Sequence, residues 1–428
     1  MYQKSTLENG IRVVTKSMPN VRSIAMGVLV DSGILDEPGE KNGLAHLTEH
    51  LMFGGTSNRD SRQIARFMDE AGGQVGGFIT RDYTCYTATV LDDYRTFAVD
   101  LLGDILLNSL YSESNLEREK NTITREIESG LDLPDQRCDA LLKSHIWSGH
   151  YLGKSINGSP QSVMDLTRED VIYFVHSYYM PDRIIIAAAG NIDHNDYRSQ
   201  VRDAFWHLMG QSRPRQRVKP SFYPGVSVEH IPVSQAYFSI GLRSFPYAHP
   251  QRYAVHVLNK ILGGGISSRL FRRIREERGL VYEIRTEYQA YHDDGLLVVE
   301  GSTSPELLMQ VLFLTLGEIW KTINGEDPID DDELWKAKMQ IRGQHLISAE
   351  CSNTQMSRLA TQELYFGNHI PSDQILRAID QVELNTLAHL TQNTFLDAFG
   401  NAAVAVIGPQ SPEKYSAPMI EELLGSFQ

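Results

Sequence analysis

Cysteine is scarce in this chain: Cys85, Cys138 and Cys351 are the only three among 428 residues, and no two form a C-x-x-C pair. That spacing excludes a disulfide framework and a thiolate metal site, leaving reduced thiols as the default. Basic residues are outnumbered, with 40 Lys and Arg against 54 Asp and Glu. The resulting net charge of -14 argues against a nucleic-acid surface and mildly favours neutral or basic partners. Long apolar runs are missing as well. Residues 1–19 are polar and broken by Asn9-Gly10, so they predict neither a signal peptide nor a membrane span. The expected location is the cytoplasm, or an organellar matrix if a targeting segment has been removed. The remaining composition, 41% hydrophobic and 22% charged, is that of a globular protein, and its length suits two cores better than one.

The most informative stretch is His46-Leu47-Thr48-Glu49-His50. At about 100° per residue, a helix places His50 one turn beyond His46 with Glu49 beside both, while Leu44, Leu47 and Leu51 gather on the other side. One face can then pack on a core while two imidazoles and a carboxylate point into a cleft. Neutral histidine nitrogens suit Zn²⁺, and a neighbouring glutamate can take a proton from a metal-bound water. The same three residues also suit a solvated helix face or a pair of hydrogen-bonded imidazoles, so the pattern needs its surroundings.

Along the chain, Ile11–Thr15 and Ser23–Asp31 read as strands, the second alternating Ile24, Met26, Val28 and Val30. A helix is expected over Ser61–Ala71, a hairpin over Gln74–Leu91, helices over Tyr94–Asn108, Ser114–Gly130 and Arg168–Tyr179, and a closing strand over Arg183–Ala189. Residues 212–225 are polar, basic and proline-bearing, which reads as a linker. Beyond it the order starts again. Strands are expected at Ala236–Leu242, Tyr282–Ala290 and Gly295–Ser302, helices at Tyr253–Leu262, Arg269–Arg278, Pro305–Ile323 and Asp331–Ser348, and a last strand at Ala402–Ile407. The simplest account is an α+β chain of two homologous sandwich domains, 1–211 and 226–428, each a mostly antiparallel sheet packed with helices.

Residues 42–53, Asn-Gly-Leu-Ala-His-Leu-Thr-Glu-His-Leu-Met-Phe, together with residues 119–127 and 263–282, resemble the pitrilysin family of zinc metallopeptidases, M16, which includes the mitochondrial processing peptidases. The likeness spans essentially the full length. It implies one zinc per chain on His46 and His50, with Glu49 as general base and Glu126 as third ligand. Glu119, seven residues before Glu126 and so on the same helix face, is implied to be a carboxylate that orients a ligand. In the second half, Arg275 and Tyr282 match a pair that grips substrate backbone and supports the developing oxyanion. Gly76-Gly77, just before Phe78, falls where many members have Asn-Ala in the strand that faces the zinc and binds substrate, so that Gly76, Gly77 and Phe78 are implied to line the substrate. That departure suits either wider substrate acceptance or a strand bend.

The resemblance thus implies a zinc endopeptidase acting on extended peptides or unfolded segments bound as an added strand along Gln74–Thr80. Because family members enclose their site between two halves of this size, a homodimer is expected, with a heterodimer with a related chain as the other possibility. No nucleic acid and no membrane partner is expected. Two rivals stand beside this reading: a catalytically weak or non-peptidase assembly subunit, and a subunit of a presequence-processing peptidase.

Overall fold

The computed structural model describes every residue except Asp132, Pro412 and Gln428, and leaves the side chains of Met68 and Leu131 undescribed. Strands β1 (Tyr2–Thr6), β2 (Arg12–Ser17), β3 (Ser23–Val30), β4 (Gln74–Ile79), β5 (Thr84–Leu91) and β6 (Ile184–Gly190) form one sheet in the order β1-β2-β6-β3-β5-β4. Strands β7 (Gly225–His230), β8 (Ala236–Ser244), β9 (Glu283–Ala290), β10 (Gly295–Thr303) and β11 (Ala403–Gly408) form a second, in the order β7-β11-β8-β10-β9. β2 pairs with β6 in parallel, as β7 does with β11, and the remaining pairs are antiparallel. Five strands therefore repeat with one topology, as a duplicated unit requires.

The helices that matter for the site are α1 (Leu44–Met52), α2 (Ser61–Ala71), α3 (Arg95–Asn108) and α4 (Glu113–Leu131). They are followed by α5 (Pro134–Ile146), α6 (Pro160–Met164), α7 (Arg168–Tyr178), α8 (His194–Phe205), α9 (Arg252–Leu262), α10 (Leu308–Asn324), α11 (Asp331–Ser348) and α12 (Ser352–Phe366). Two compact units result, and neither follows chain order. The first comprises Met1–Glu128, Lys154–Arg217 and Leu346–Ile370, the second Ser129–Gly153, Val218–His345 and Pro371–Gln428.

In the first unit the central strands are buried on both faces, so β6 reads Ile-Ile-Ile-Ala-Ala-Ala-Gly without a polar residue. On one face Ile24, Met26, Val28 and Val30 join Leu44, Leu47 and Leu51 of α1 and residues of α3, α7 and α8 in the main core. On the other, Val14, Ala25, Leu29, Ile185 and Ala187 pack under Met356, Leu359 and Ala360 of α12. A helix from late in the chain thus closes the first sheet. In the second unit α5, from early in the chain, takes the same place, with Cys138 Sγ directed at the carbonyls of Tyr237 and Ala405.

The expected linker, 212–225, lies in an irregular stretch that runs from 206 to 224, and its last residue, Gly225, opens β7; its first part is nevertheless tied down. Arg215 meets Asp31 at 2.8 Å and Asp36 at 3.1 Å within the first unit, and its side chain is only 13% exposed. Among the described residues, no helix is long and apolar enough to cross a membrane.

Candidate metal centre

Helix α1 forms because its leucine face is needed by the core: Leu44, Leu47 and Leu51 are at most 1% exposed. Thr48 is kept in the helix by donating its hydroxyl to the Leu44 carbonyl at 2.7 Å. The opposite face carries the chemistry. His46 and His50 turn their Nε2 atoms toward each other at 3.2 Å. Two nitrogens bound to one tetrahedral zinc at about 2.0–2.1 Å would stand roughly 3.3 Å apart, so the imidazoles are spaced for a shared ion.

Helix α4 supplies the carboxylates. Glu126 Oε2 lies 3.9 Å from His46 Nε2 and 3.7 Å from His50 Nε2. One donor atom from each of His46, His50 and Glu126 falls within a 4.8 Å group. Two turns earlier, Glu119 Oε2 lies 3.2 Å from His50 Nδ1, while its Oε1 accepts from Arg118 Nε at 3.0 Å. Two imidazoles and a carboxylate form a donor set suited to zinc with a position left for substrate or water.

The electrostatics agree with that use. Burial, helped by the neighbouring His50, pushes the His46 imidazole down to about 4, so it is neutral and able to bind a metal at pH 7. Its Nδ1 is buried with no hydrogen-bond partner, unlike that of His50. Glu49, 8% exposed, sits with Oε2 3.9 Å from His50 Nε2. Burial raises its carboxyl above the usual range, with Glu126 and Glu119 adding to the rise and His50 opposing it. A raised carboxyl holds a proton more readily, which suits acid–base work near neutrality.

The substrate-strand candidates stand beside this group. β4 is the outermost strand of its sheet, paired with β5. A Cβ on Gly77 would fall 2.2 Å from Glu49 Oε1, so the glycine leaves the space that the carboxylate fills. A Cβ on Gly76 would meet nothing within 4 Å, and Phe78, 40% exposed, makes an edge contact with Tyr83. The pair Arg275 and Tyr282 belongs to the second unit. Arg275 lies over the Phe271 ring at 4.7 Å, in a π-helical turn over Phe271–Glu276, and Tyr282 is 63% exposed just before β9.

Sequence reasoning did not single out Glu37, which proves to hold the start of α1, or the partnership of Gly77 with Glu49. Glu37 is separated from the motif by a polar loop and carries no periodic signal.

Residues 12–159 match the family described as insulinase, peptidase family M16, and residues 165–341 match the peptidase M16 inactive domain. An uncharacterized zinc protease of Bacillus subtilis, YmxG, is 34% identical, covering 96% of this chain and 98% of its own length. One from Mycobacterium tuberculosis is 33% identical, covering 99% of this chain and 97% of its own. In fold, the peptidase M16 inactive domain from Pseudomonas fluorescens superposes with a TM-score of 0.88 at 18% identity, over 96% of this chain and 98% of its own. A protease from Helicobacter pylori gives 0.87 at 19%, over 96% and 99%. The chain therefore belongs to peptidase family M16.

Proposed function

We propose that this protein is a zinc endopeptidase that hydrolyses extended peptides or unfolded segments. The observation that carries the reading is the convergence of His46, His50 and Glu126 with Glu49, which lies beside Gly77 of β4. Zinc, when bound there, would polarise the scissile carbonyl and acidify the attacking water. The residues of the chain do the rest. His46, His50 and Glu126 hold the ion, one per chain, and Glu119 fixes the ring of His50. Glu49 takes the proton from the attacking water and passes it to the departing amine. The free edge of β4 pairs with substrate backbone, so that main-chain hydrogen bonds supply affinity with little dependence on sequence. Gly76, Gly77 and Phe78 line that edge. Arg275 and Tyr282 are assigned to the substrate backbone and the oxyanion, a role that suits a permanent charge and a phenol donor. The working form is a homodimer in the cytoplasm.

Zinc content and cleavage of an unstructured fluorogenic peptide, before and after chelation, test the reading. About one zinc per chain, activity lost to the chelator and activity restored by zinc are expected. Metal-free protein with full cleavage would refute it.

A further inference from the structure

Helix α1 starts without a cap of its own. Gly43, the residue before it, has φ +94° and no side chain to offer. No other residue could stand there easily, because a Cβ would meet the Asn157 carbonyl oxygen at 2.9 Å and Val163 Cγ2 at 3.0 Å. Yet the first amides of a helix have no acceptor within it, and a buried start must find one elsewhere. Here the acceptor comes from outside the helix. Glu37 Oε1 accepts from the N–H groups of Gly43 and Ala45, each at 3.0 Å, and Oε2 accepts from Asn42 Nδ2 at 2.9 Å. Asn42 is itself fastened, donating to the Ser155 carbonyl at 2.8 Å and accepting from Ser162 Oγ at 2.8 Å.

Glu37 is only 7% exposed, and burying a carboxylate is costly. A serine or aspartate would cap a helix more cheaply if capping alone were needed. What Glu37 adds is direction. The leucine contacts of α1 hold the helix against the core, but apolar contacts are non-directional and resist sliding or turning about the axis weakly. One residue of slip displaces a helix by about 1.5 Å and 100°. Two hydrogen bonds to amides flanking Leu44, next to His46 in the chain, oppose both motions.

We propose that Glu37 is a positioning residue of the metal centre, fixing the start of α1 and through it the aim of His46, Glu49 and His50. The inference rests on the zinc-peptidase reading for its kinetic consequence, but not for its structural one. A misplacement of about 1 Å at reacting groups costs on the order of 100-fold in rate.

The test compares Glu37→Ala, Glu37→Asp and Glu37→Gln in the full chain, using cobalt(II) as the probe metal. In Glu37→Ala, kcat on an unstructured peptide should fall roughly 10- to 100-fold while KM stays within about threefold. Its cobalt(II) visible absorption should shift, reporting altered imidazole geometry. Glu37→Gln keeps an acceptor oxygen for the two amides and should recover to within about threefold of the parent. If Glu37→Ala does not fold, Glu37→Asp carries the test: it keeps the charge but withdraws the oxygen by one methylene, and should show a smaller loss with the same spectral shift. A parental kcat and spectrum in the folded Ala or Asp variant would overturn the proposal, as would equal losses in Ala and Gln with an unshifted spectrum. If the parent cleaves no peptide but the spectrum still shifts, the positioning role stands and the peptidase reading falls.

Discussion

Glu119 holds His50 by the ring nitrogen that faces away from His46: Oε2 lies 3.2 Å from Nδ1. A carboxylate only accepts, so the ring proton belongs on Nδ1 and the lone pair of Nε2 is directed at His46 and Glu126. His46 has no such support, its Nδ1 being buried and unpartnered. The ordering of the site is therefore asymmetric, and His50 is the better-fixed imidazole.

Glu119→Gln should weaken zinc binding by about 10- to 100-fold, because the amide loses the charge that fixes and strengthens the imidazole. Competition with a chromophoric chelator measures this. Unchanged affinity would show that Glu119 only neutralises Arg118.

Glu49→Gln should keep its zinc and lose about 100- to 10,000-fold in kcat, since an amide of the same volume cannot take a proton. Metal analysis beside single-turnover cleavage checks both halves. Substantial turnover by the metal-loaded variant would assign the base to another group.

Much of this was legible in the sequence, for identifiable reasons. The motif on α1 is local, and helical geometry alone gathers its three side chains. β3 was readable from Ile24, Met26, Val28 and Val30, but the residues between them, Ala25 and Leu29, are equally buried under α12. Alternation therefore pointed to one covered face where there are two. α12 itself was not foreseen, since buried Gln355, Gln362 and Glu363 break its apolar stripe. These polar residues are used rather than exposed: Glu363 takes Lys4 at 2.8 Å, and Gln362 accepts from the Ile370 amide at 2.9 Å. Nor does composition reveal that α5 and α12 each pack with the sheet from the opposite half of the chain. That is a tertiary choice, and no local pattern records it.

Met356, 1% exposed beneath the first sheet, gives this packing a measurable consequence. Met356→Ala should destabilise the first unit by about 2–5 kcal/mol through lost transfer energy and a residual cavity. Met339→Ala, at a 37% exposed site on α11, should change stability by less than about 0.5 kcal/mol. Urea unfolding, with hydrogen exchange of the β6 amides to report on the first unit, makes the comparison. Equal effects would mean that α12 contributes little to the closure of its sheet.

Glu37 predicts a pH dependence of stability. Burial raises its carboxyl from 4.5 to about 7, against the opposing hydrogen bonds of Ala45, Asn42 and Gly43 and the charge of Lys154. A folded-state value above the unfolded one means that the favourable contribution is full below about pH 4.5 and lost as pH rises through 7. A rise of that size is worth on the order of 3 kcal/mol. Glu37→Gln does not titrate, so its stability relative to the parent should climb between pH 5 and pH 8. Urea midpoints at the two pH values measure it, and a constant difference would show that Glu37 is ionised throughout.

The last prediction concerns which chain completes which site. The residues proposed to hold the metal belong to the first unit, and Arg275 with Tyr282 to the second. In the proposed homodimer each zinc would be served by the Arg and Tyr of the other protomer. Glu49→Gln chains lack a base but keep an intact pair, whereas Arg275→Ala/Tyr282→Phe chains keep the base and lose the pair. Mixed dimers would then carry one complete site, formed from the base of one protomer and the pair of the other. Activity should rise well above that of either parent after subunit exchange, approaching about a quarter of the native value per chain if half the dimers are mixed and each carries one working site of two. Native mass spectrometry verifies the exchange. Mixed dimers without recovered activity would mean that the pair acts within its own chain or has no part in cleavage. Recovery that tracks the mixed fraction would fix the site as shared, because neither parent contains both halves of it on facing protomers.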